Sequence, residues 1–121
     1  MLALLRHGEG ATPGQVVRRF FESWRTVLVK TDCQAGCAIA AVANARLEHP
    51  ELGARAASVF VAWERELGER LVVAGMPHAK ASSAAALILA SVEGALILCR
   101  ARKEMAPFDA VRDALMDFVG P

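Results

Sequence analysis

The stretch from residue 84 to residue 99 constrains the fold of this chain more than any other feature. It reads Ala-Ala-Ala-Leu-Ile-Leu-Ala-Ser-Val-Glu-Gly-Ala-Leu-Ile-Leu-Cys, and Glu93 is its only charged residue. A membrane span needs about 20 apolar residues. This run is shorter, and a carboxylate inside it would be costly in lipid. A helix that is apolar all round in a soluble protein is covered on more than one side. We therefore expect a central helix of a soluble bundle and no membrane partner.

The two faces of this helix differ in the size of their side chains. One face is bulky and consists of Ile88, Leu89, Val92, Leu96 and Cys99. The other is mixed with small residues and consists of Ala84, Leu87, Ser91, Gly94 and Leu98. Small residues let two helix backbones approach closely, so we expect the bulky face in the subunit core and the smaller face against a second copy. The alternative is the central helix of a monomeric bundle.

Helical signals cover the rest of the 121 residues. Alanine is abundant and favours helices, and Thr12-Pro13-Gly14-Gln15 supplies a capping box with proline at the first helical position. Apolar stripes at helical spacing predict helices over about 13–30, 36–47, 50–74, 78–104 and 107–119. We therefore predict an all-α fold in one domain over residues 1–121, with an N-terminal stub at residues 1–7. Because the connections are short, we expect the helices, about five in number, to form an antiparallel bundle.

The last predicted helix carries a narrow apolar seam with a spacing of three and four residues. We expect it to join the helix at 78–104 in a homodimer, as a four-helix bundle about a two-fold axis. The predicted dimer interface consists of Leu87, Ser91, Gly94, Leu98, Phe108, Val111, Leu115 and Phe118.

Aromatic side chains on two of the predicted helices have two interpretations. They are either ordinary core or the wall of a cavity for a small hydrophobic or aromatic ligand, since such cavities are mostly apolar with few polar groups. The candidate lining consists of Phe21, Trp24, Ile39, Val42, Phe60, Trp63 and Val92. Glu93 is either paired with Arg100, with Arg102 or with a group across an interface, or it is a polar anchor inside this pocket.

Several kinds of chemistry are not predicted. The net charge of +1 gives no basic excess for binding DNA. Cys33 and Cys37 lack further ligands for a structural zinc. His49 is the histidine nearest to them in sequence, but nothing orients it as the base of a catalytic cysteine, so we expect inert thiols. We therefore predict no enzyme, no metal and no cofactor. An odd cysteine count with no leader-like start predicts the reducing cytoplasm.

Three segments, taken in order, resemble the C-terminal domain of TetR-family transcriptional regulators of the LmrA/YxaF-like subgroup. Residues 32–43 resemble its Gly-Cys-Pro region, 74–77 its turn before the eighth helix, and 91–102 its Glu-Gly-Ala dimerisation helix. Pro107-Phe108, opening the last helix, also fits. Ala38 stands where the subgroup usually has proline, and Asn44-Ala45-Arg46 replaces a more usual acidic stretch, so the ligand preference does not carry over.

The resemblance implies a ligand-sensing and dimerisation domain of a repressor. Family members begin with three helices that include a helix-turn-helix, followed by a long linking helix, and Met1–Arg6 looks like the end of that linking helix. DNA binding is therefore expected only through an N-terminal head that this chain lacks. The alternatives are a ligand-free structural dimerisation module and a small helical enzyme.

Overall fold

The computed structural model describes residues 11–121, and five α-helices make up most of that range. The helices are α1 (Pro13–Lys30), α2 (Ala38–Asn44), α3 (Pro50–Val73), α4 (His78–Arg102) and α5 (Ala106–Val119). The described residues contain no strand, which confirms the all-α prediction. α2 is shorter than the predicted 36–47. The predicted stub at residues 1–7 lies outside the described residues.

Local signals fix both ends of α1. The Thr12 hydroxyl accepts the Gln15 N–H at 3.2 Å, and the Gln15 side chain accepts the Thr12 N–H at 2.9 Å, which is the predicted capping box. After the helix, Asp32 and Cys33 take left-handed φ angles of 52° and 61°. Such a conformation costs roughly 1–2 kcal/mol for a residue with a Cβ. The buried Cys33, whose Sγ lies 3.6 Å from Met105 Sδ, holds this turn in place.

The bulky face of α4 forms the centre of the core. All five of its predicted residues are buried, and Phe21, Leu67 and Phe108 from α1, α3 and α5 are buried in the same cluster. The Phe21 and Phe108 rings lie 5.1 Å apart at a tilted angle. By length and composition alone α4 could cross a membrane, but 44% of its most apolar window is buried inside this fold. Packing in the subunit core therefore accounts for much of its apolar character.

The structure corrects the predicted seam on α5 at two positions. Phe108 has no exposed surface and Leu115 is only 6% exposed, so both belong to the core of their own subunit. The reason is that α1 and α4 both pack on α5, which leaves a flank of the helix uncovered. On that flank Val111 is half-buried and Phe118 is 73% exposed.

Charged residues of α5 form ion pairs with charged residues of α1. Arg25 donates to Asp109 at 3.0 Å, and Arg112 lies 3.3 Å from both Glu22 and Asp109. The hydrogen bond and positive charge of Arg25 hold the pKa of the Asp109 carboxyl below its ordinary value. Each partly exposed pair is worth little by itself. Together they fix which side of α5 meets α1, and so which flank stays free.

A substitution at Gly53 tests how closely α3 packs against Arg46. A Cβ at this position would lie 2.7 Å from the Arg46 Cβ and closer still to the Arg46 Cγ. We expect Gly53→Ala to lower the free energy of unfolding by about 1–3 kcal/mol, because atoms so near the backbone of Arg46 cannot swing aside. The thermal midpoint in circular dichroism measures the effect.

Gly68→Ala is the matched control on the same helix. A Cβ there would meet the Ala81 carbonyl oxygen at 3.8 Å, an ordinary contact. The better helix propensity of alanine should raise stability by up to about 1 kcal/mol. Equal shifts of the two midpoints in one direction would contradict the packing described for Gly53.

Candidate ligand cleft

An open cleft of about 380 Å³ lies between α2, α3 and α4. Its size falls within the range of roughly 300–1,000 Å³ that is usual for small-molecule sites. The short alanine side chains of α2 leave the space, Phe60 of α3 forms one wall, and one side of α4 forms another. The lining consists of Gly36, Cys37, Ala40, Ala41, Ala43, Asn44, Phe60, Glu93, Leu96, Ile97 and Arg100.

Glu93 is the acidic residue of the cleft lining, and one of its carboxylate oxygens is unsatisfied. Its Oε1 is buried without a hydrogen-bond partner among the described residues. Burial raises the pKa of the Glu93 carboxyl, and a hydrogen bond from the Cys37 thiol partly offsets this. Burial, together with the neighbouring Glu93, raises the pKa of the Cys37 thiol.

The predicted pairing of Glu93 with an arginine of α4 is not found. Arg102 binds Glu104 at 2.9 Å instead. Arg100 forms no salt bridge with any residue from 11 to 121, and its Nη1 lies 3.6 Å from the position of a Cβ on Gly36. Seven residues separate Arg100 from Glu93, which is about 10 Å along a helix axis. The cleft therefore has one acidic and one basic side chain in an otherwise uncharged lining.

Residues 13–114 match the family described as transcriptional regulator LmrA/YxaF-like, C-terminal domain. The chain belongs to this family. Two curated relatives, each described as an uncharacterized HTH-type transcriptional regulator from a strain of Mycobacterium tuberculosis, are 31% identical over 123 residues. The similarity covers 97% of this chain and 62% of each relative, so the chain spans about three fifths of their length. No solved structure matches the chain.

The match confirms the resemblance that the three sequence segments indicate. The family is the C-terminal domain of LmrA/YxaF-like transcriptional regulators, which is a family of regulators and not of enzymes. Among the described residues, no cluster of three or more histidine, cysteine or acidic side chains could hold a metal ion.

The seven residues predicted to line a pocket in this LmrA/YxaF-like domain do not come together as one wall. Phe60 lines the cleft, and Trp63 backs it with an edge-to-face ring contact at 5.8 Å. Phe21 and Val92 have no exposed surface and belong to the core. Trp24, Ile39 and Val42 are half-buried and do not line the cleft. The reason is that α1 packs chiefly on α5, away from α2.

The sequence prediction missed most of the residues that line the cleft. The signal that could have found them is the spacing of Glu93 and Arg100, which places both charges on one side of an otherwise apolar helix. The run of small residues in α2 is the second signal, since it makes room opposite that side.

Two larger grooves lie elsewhere on the described surface. One of about 600 Å³ follows α3 and the first turn of α4. The other, of about 700 Å³, lies between the turn at residues 74–77, the first half of α4, Pro13 and the C-terminal residues 118–121. Neither is lined by any of the buried polar atoms that lack a hydrogen-bond partner. The smaller cleft is lined by Glu93, whose Oε1 is one of these atoms, and is therefore the stronger candidate site.

The ionisation of Glu93 predicts a pH-dependent stability. The pKa of this carboxyl is raised in the fold, so its contribution is fully present below its ordinary pKa of 4.5 and is lost as pH rises through the folded value. Glu93→Gln keeps the shape and removes the charge. We expect the variant to be more stable than the parent by about 1 kcal/mol near neutral pH, and the gain should disappear near pH 4. Urea unfolding at the two pH values measures it.

Glu48→Gln provides the control, because Glu48 is exposed and outside the cleft. A gain for Glu93→Gln that is the same at both pH values would argue against this ionisation.

Proposed function

We propose that this chain forms the ligand-sensing and dimerisation part of a transcriptional repressor and acts as a homodimer in the cytoplasm. DNA contact is assigned in this proposal to a helix-turn-helix head of the kind that the names of its relatives state. The observation that carries the proposal is the uncharged outer face of α4.

The exposed and half-exposed residues of α4 between Lys80 and Arg102 include a broad strip without a single charge. We call this strip, with the free flank of α5, the dimer face. On α4 it consists of Ser83, Ala86, Leu87, Ala90, Ser91, Gly94, Ile97, Leu98 and Ala101, and on α5 of Val111, Ala114 and Phe118. The exposed fractions of Ile97 and Phe118 reach 65% and 73%. Monomers rarely tolerate so large an apolar patch.

A second copy of the chain is the occupant that fits this face best. A two-fold axis brings the same patch of both subunits together, so one apolar face covers the other. Gly94 lies in the middle of the strip, and a Cβ there would meet nothing within 4 Å in the single chain. Because Gly94 has no side chain, two α4 backbones could approach closely at this position. Pairs of α4 and α5 from the two subunits would complete a four-helix bundle.

Ligand sensing is supported by the fact that α4 contributes residues both to the cleft and to the dimer face. Glu93 lines the cleft and its neighbour Gly94 lies on the dimer face, while Ile97 belongs to both. Coupling between two sites requires an element whose states both of them bias. α4 is the element that a bound ligand and a second subunit would both contact.

Light scattering at micromolar concentration tests the proposal. We expect a mass twice that of the single chain, because burial of each exposed leucine stabilises the pair by roughly 1.5–3 kcal/mol. A monomeric mass would contradict the proposal, as would a dimer whose contact surface lies on α1.

The chain itself should not recognise a DNA sequence. Its net charge is +1, so it has no overall basic excess to drive binding to phosphate backbones. We expect no sequence-selective gel shift. A shift that survives raised salt and distinguishes two DNA sequences would contradict this prediction.

A further inference from the structure

Three sulfur-containing side chains from separate parts of the chain meet at the start of α5. Cys33, in the turn after α1, lies with its Sγ 3.6 Å from Met105 Sδ. The Cys99 thiol, near the end of α4, accepts a hydrogen bond from the Phe108 N–H of α5 and lies close enough to Cys33 for the two thiolates to interact. None of the three side chains lines any of the grooves described above, so this sulfur cluster is separate from the cleft.

The charges of the two thiolates favour a cation between them. Burial raises the pKa of the Cys99 thiol, the Phe108 N–H partly offsets this, and the neighbouring Cys33 raises the pKa further because two thiolates repel each other. A cation bound to both sulfurs removes that repulsion, and metal binding deprotonates its thiol ligands. Cys99 and Cys33 are buried, but Met105 is only half-buried, so an ion can reach the thiols past the thioether.

The ligand set narrows the class of ion. Thiolate and thioether sulfurs are soft ligands, which Cu(I) prefers. Structural zinc takes four ligands, and residues 11–121 contain no cluster of three or more histidine, cysteine or acidic side chains. The Asp109 carboxyl acts on Cys99 from nearby, but both of its oxygens accept hydrogen bonds from Arg25 and are not free to bind a hard ion. A soft monovalent ion fits this cluster best.

The spacing of the sulfurs and the local backbone also fit a bound ion. Metal–thiolate bonds are about 2.3 Å long, so two sulfurs of a trigonal site stand about 4 Å apart. The 3.6 Å between the sulfurs of Cys33 and Met105 is close to that spacing. Within the described range, the non-glycine residues with positive φ are Asp32, Cys33 and Lys103, and all lie in the two turns that carry this pair. Residues held in such conformations cluster at ligand sites and switches.

We propose that Cys33, Cys99 and Met105 form a three-coordinate site for a soft monovalent metal ion of the Cu(I) class. A bound ion would cross-link the turn after α1 to the turn before α5, two segments that lie 72 residues apart in the chain. It would thereby stabilise the packing of α1 on α5.

Anaerobic titration of the reduced chain with Cu(I), in competition with the chelator bathocuproine disulfonate, tests the proposal. We expect uptake of one ion per chain, with thiolate-to-copper charge-transfer absorption in the ultraviolet. The thermal midpoint in circular dichroism should rise, since a ligand that binds only the folded state stabilises it. Zn(II) should leave the midpoint unchanged. A midpoint that falls with Cu(I) would overturn the proposal, because it would show that the ion prefers the cysteines of the unfolded chain.

Single substitutions assign the ion to these three sulfurs. Partners that only orient metal ligands are worth about 10–100-fold in affinity. Loss of a thiolate in Cys33→Ala or Cys99→Ala should therefore lower the affinity for Cu(I) by at least about 100-fold, and Met105→Leu should lower it about tenfold. Cys37→Ala is the matched control, because Cys37 is also buried but lines the cleft, and this variant should bind Cu(I) as the parent does.

Circular dichroism of each ion-free variant checks that the fold is retained. Met105→Leu keeps both thiols and nearly the same apolar volume, so it tests the site even where a cysteine variant does not fold. Parent-like affinity in any of the three variants of the sulfur cluster, or an equal loss in Cys37→Ala, would overturn the proposal.

Discussion

Gly94→Arg is expected to turn the proposed dimer into a monomer that keeps its fold. A Cβ at Gly94 meets no atom within 4 Å in the single chain, so the subunit can accept a longer side chain there. Removing a glycine from the interior of a helix also favours that helix. In the dimer, the two-fold axis would bury two unpaired guanidinium groups, and a lone buried charge costs about 3–5 kcal/mol. The dissociation constant should rise by a factor of about 1,000 or more.

Light scattering and circular dichroism together measure the outcome. The scattering mass should halve while the helical signal is retained. Ala57→Arg is the control, since Ala57 is exposed on α3 and outside the dimer face. A dimer that persists in Gly94→Arg, or one that dissociates equally in Ala57→Arg, would show that the subunits meet elsewhere.

Phe108→Ala is expected to have the largest effect on the stability of the subunit itself. Phe108 has no exposed surface, and its ring packs against Phe21 at 5.1 Å. Truncating such a residue costs about 3–5 kcal/mol, from lost burial and from the cavity left behind. Small domains have only about 5–15 kcal/mol in total. The variant should therefore unfold at a much lower urea concentration.

Phe118→Ala is the matched comparison on the same helix. Phe118 is 73% exposed in the single chain, so its truncation should hardly change the stability of a monomer. Both variants are best measured in the Gly94→Arg background, because a dimer gains apparent stability with concentration. In the chain without the Gly94→Arg change, Phe118→Ala should weaken dimerisation and not destabilise the subunit. Equal losses for the two variants in the monomer would contradict the inward placement of Phe108.

The sequence predicts the fold well because helical periodicity and capping are local. The capping box at Thr12 and Gln15 forms as expected, and the bulky residues of α4 are all buried as expected. The order and lengths of the helices follow from apolar stripes and prolines, which act within a few turns of chain.

The site is less predictable, because it depends on which helix packs beside which. Trp24 and Trp63 both belong to apolar stripes, and the sequence alone gives no reason to separate them. In the structure only Trp63 reaches the cleft wall, through Phe60, because α1 turns toward α5. The seam on α5 illustrates the same limit: a spacing of three and four identifies an apolar face, but not whether its own subunit or a copy covers it. Leu115→Glu, which the seam alone would suggest as an interface variant, would disrupt the subunit core.

The sides of α4 lie in three different environments, and these limit which substitutions the chain can accept over evolutionary time. One side of α4 fills the core, one lines the cleft, and one is the uncharged outer strip, so few of its positions are free to accept an arbitrary residue. By contrast, α3 exposes residues such as Glu51 and Arg55, which line none of the grooves described above. Neutral drift should therefore accumulate on α3 and spare α4, and related regulators that respond to different molecules should differ first at the few α2 and α3 positions that face α4 across the cleft.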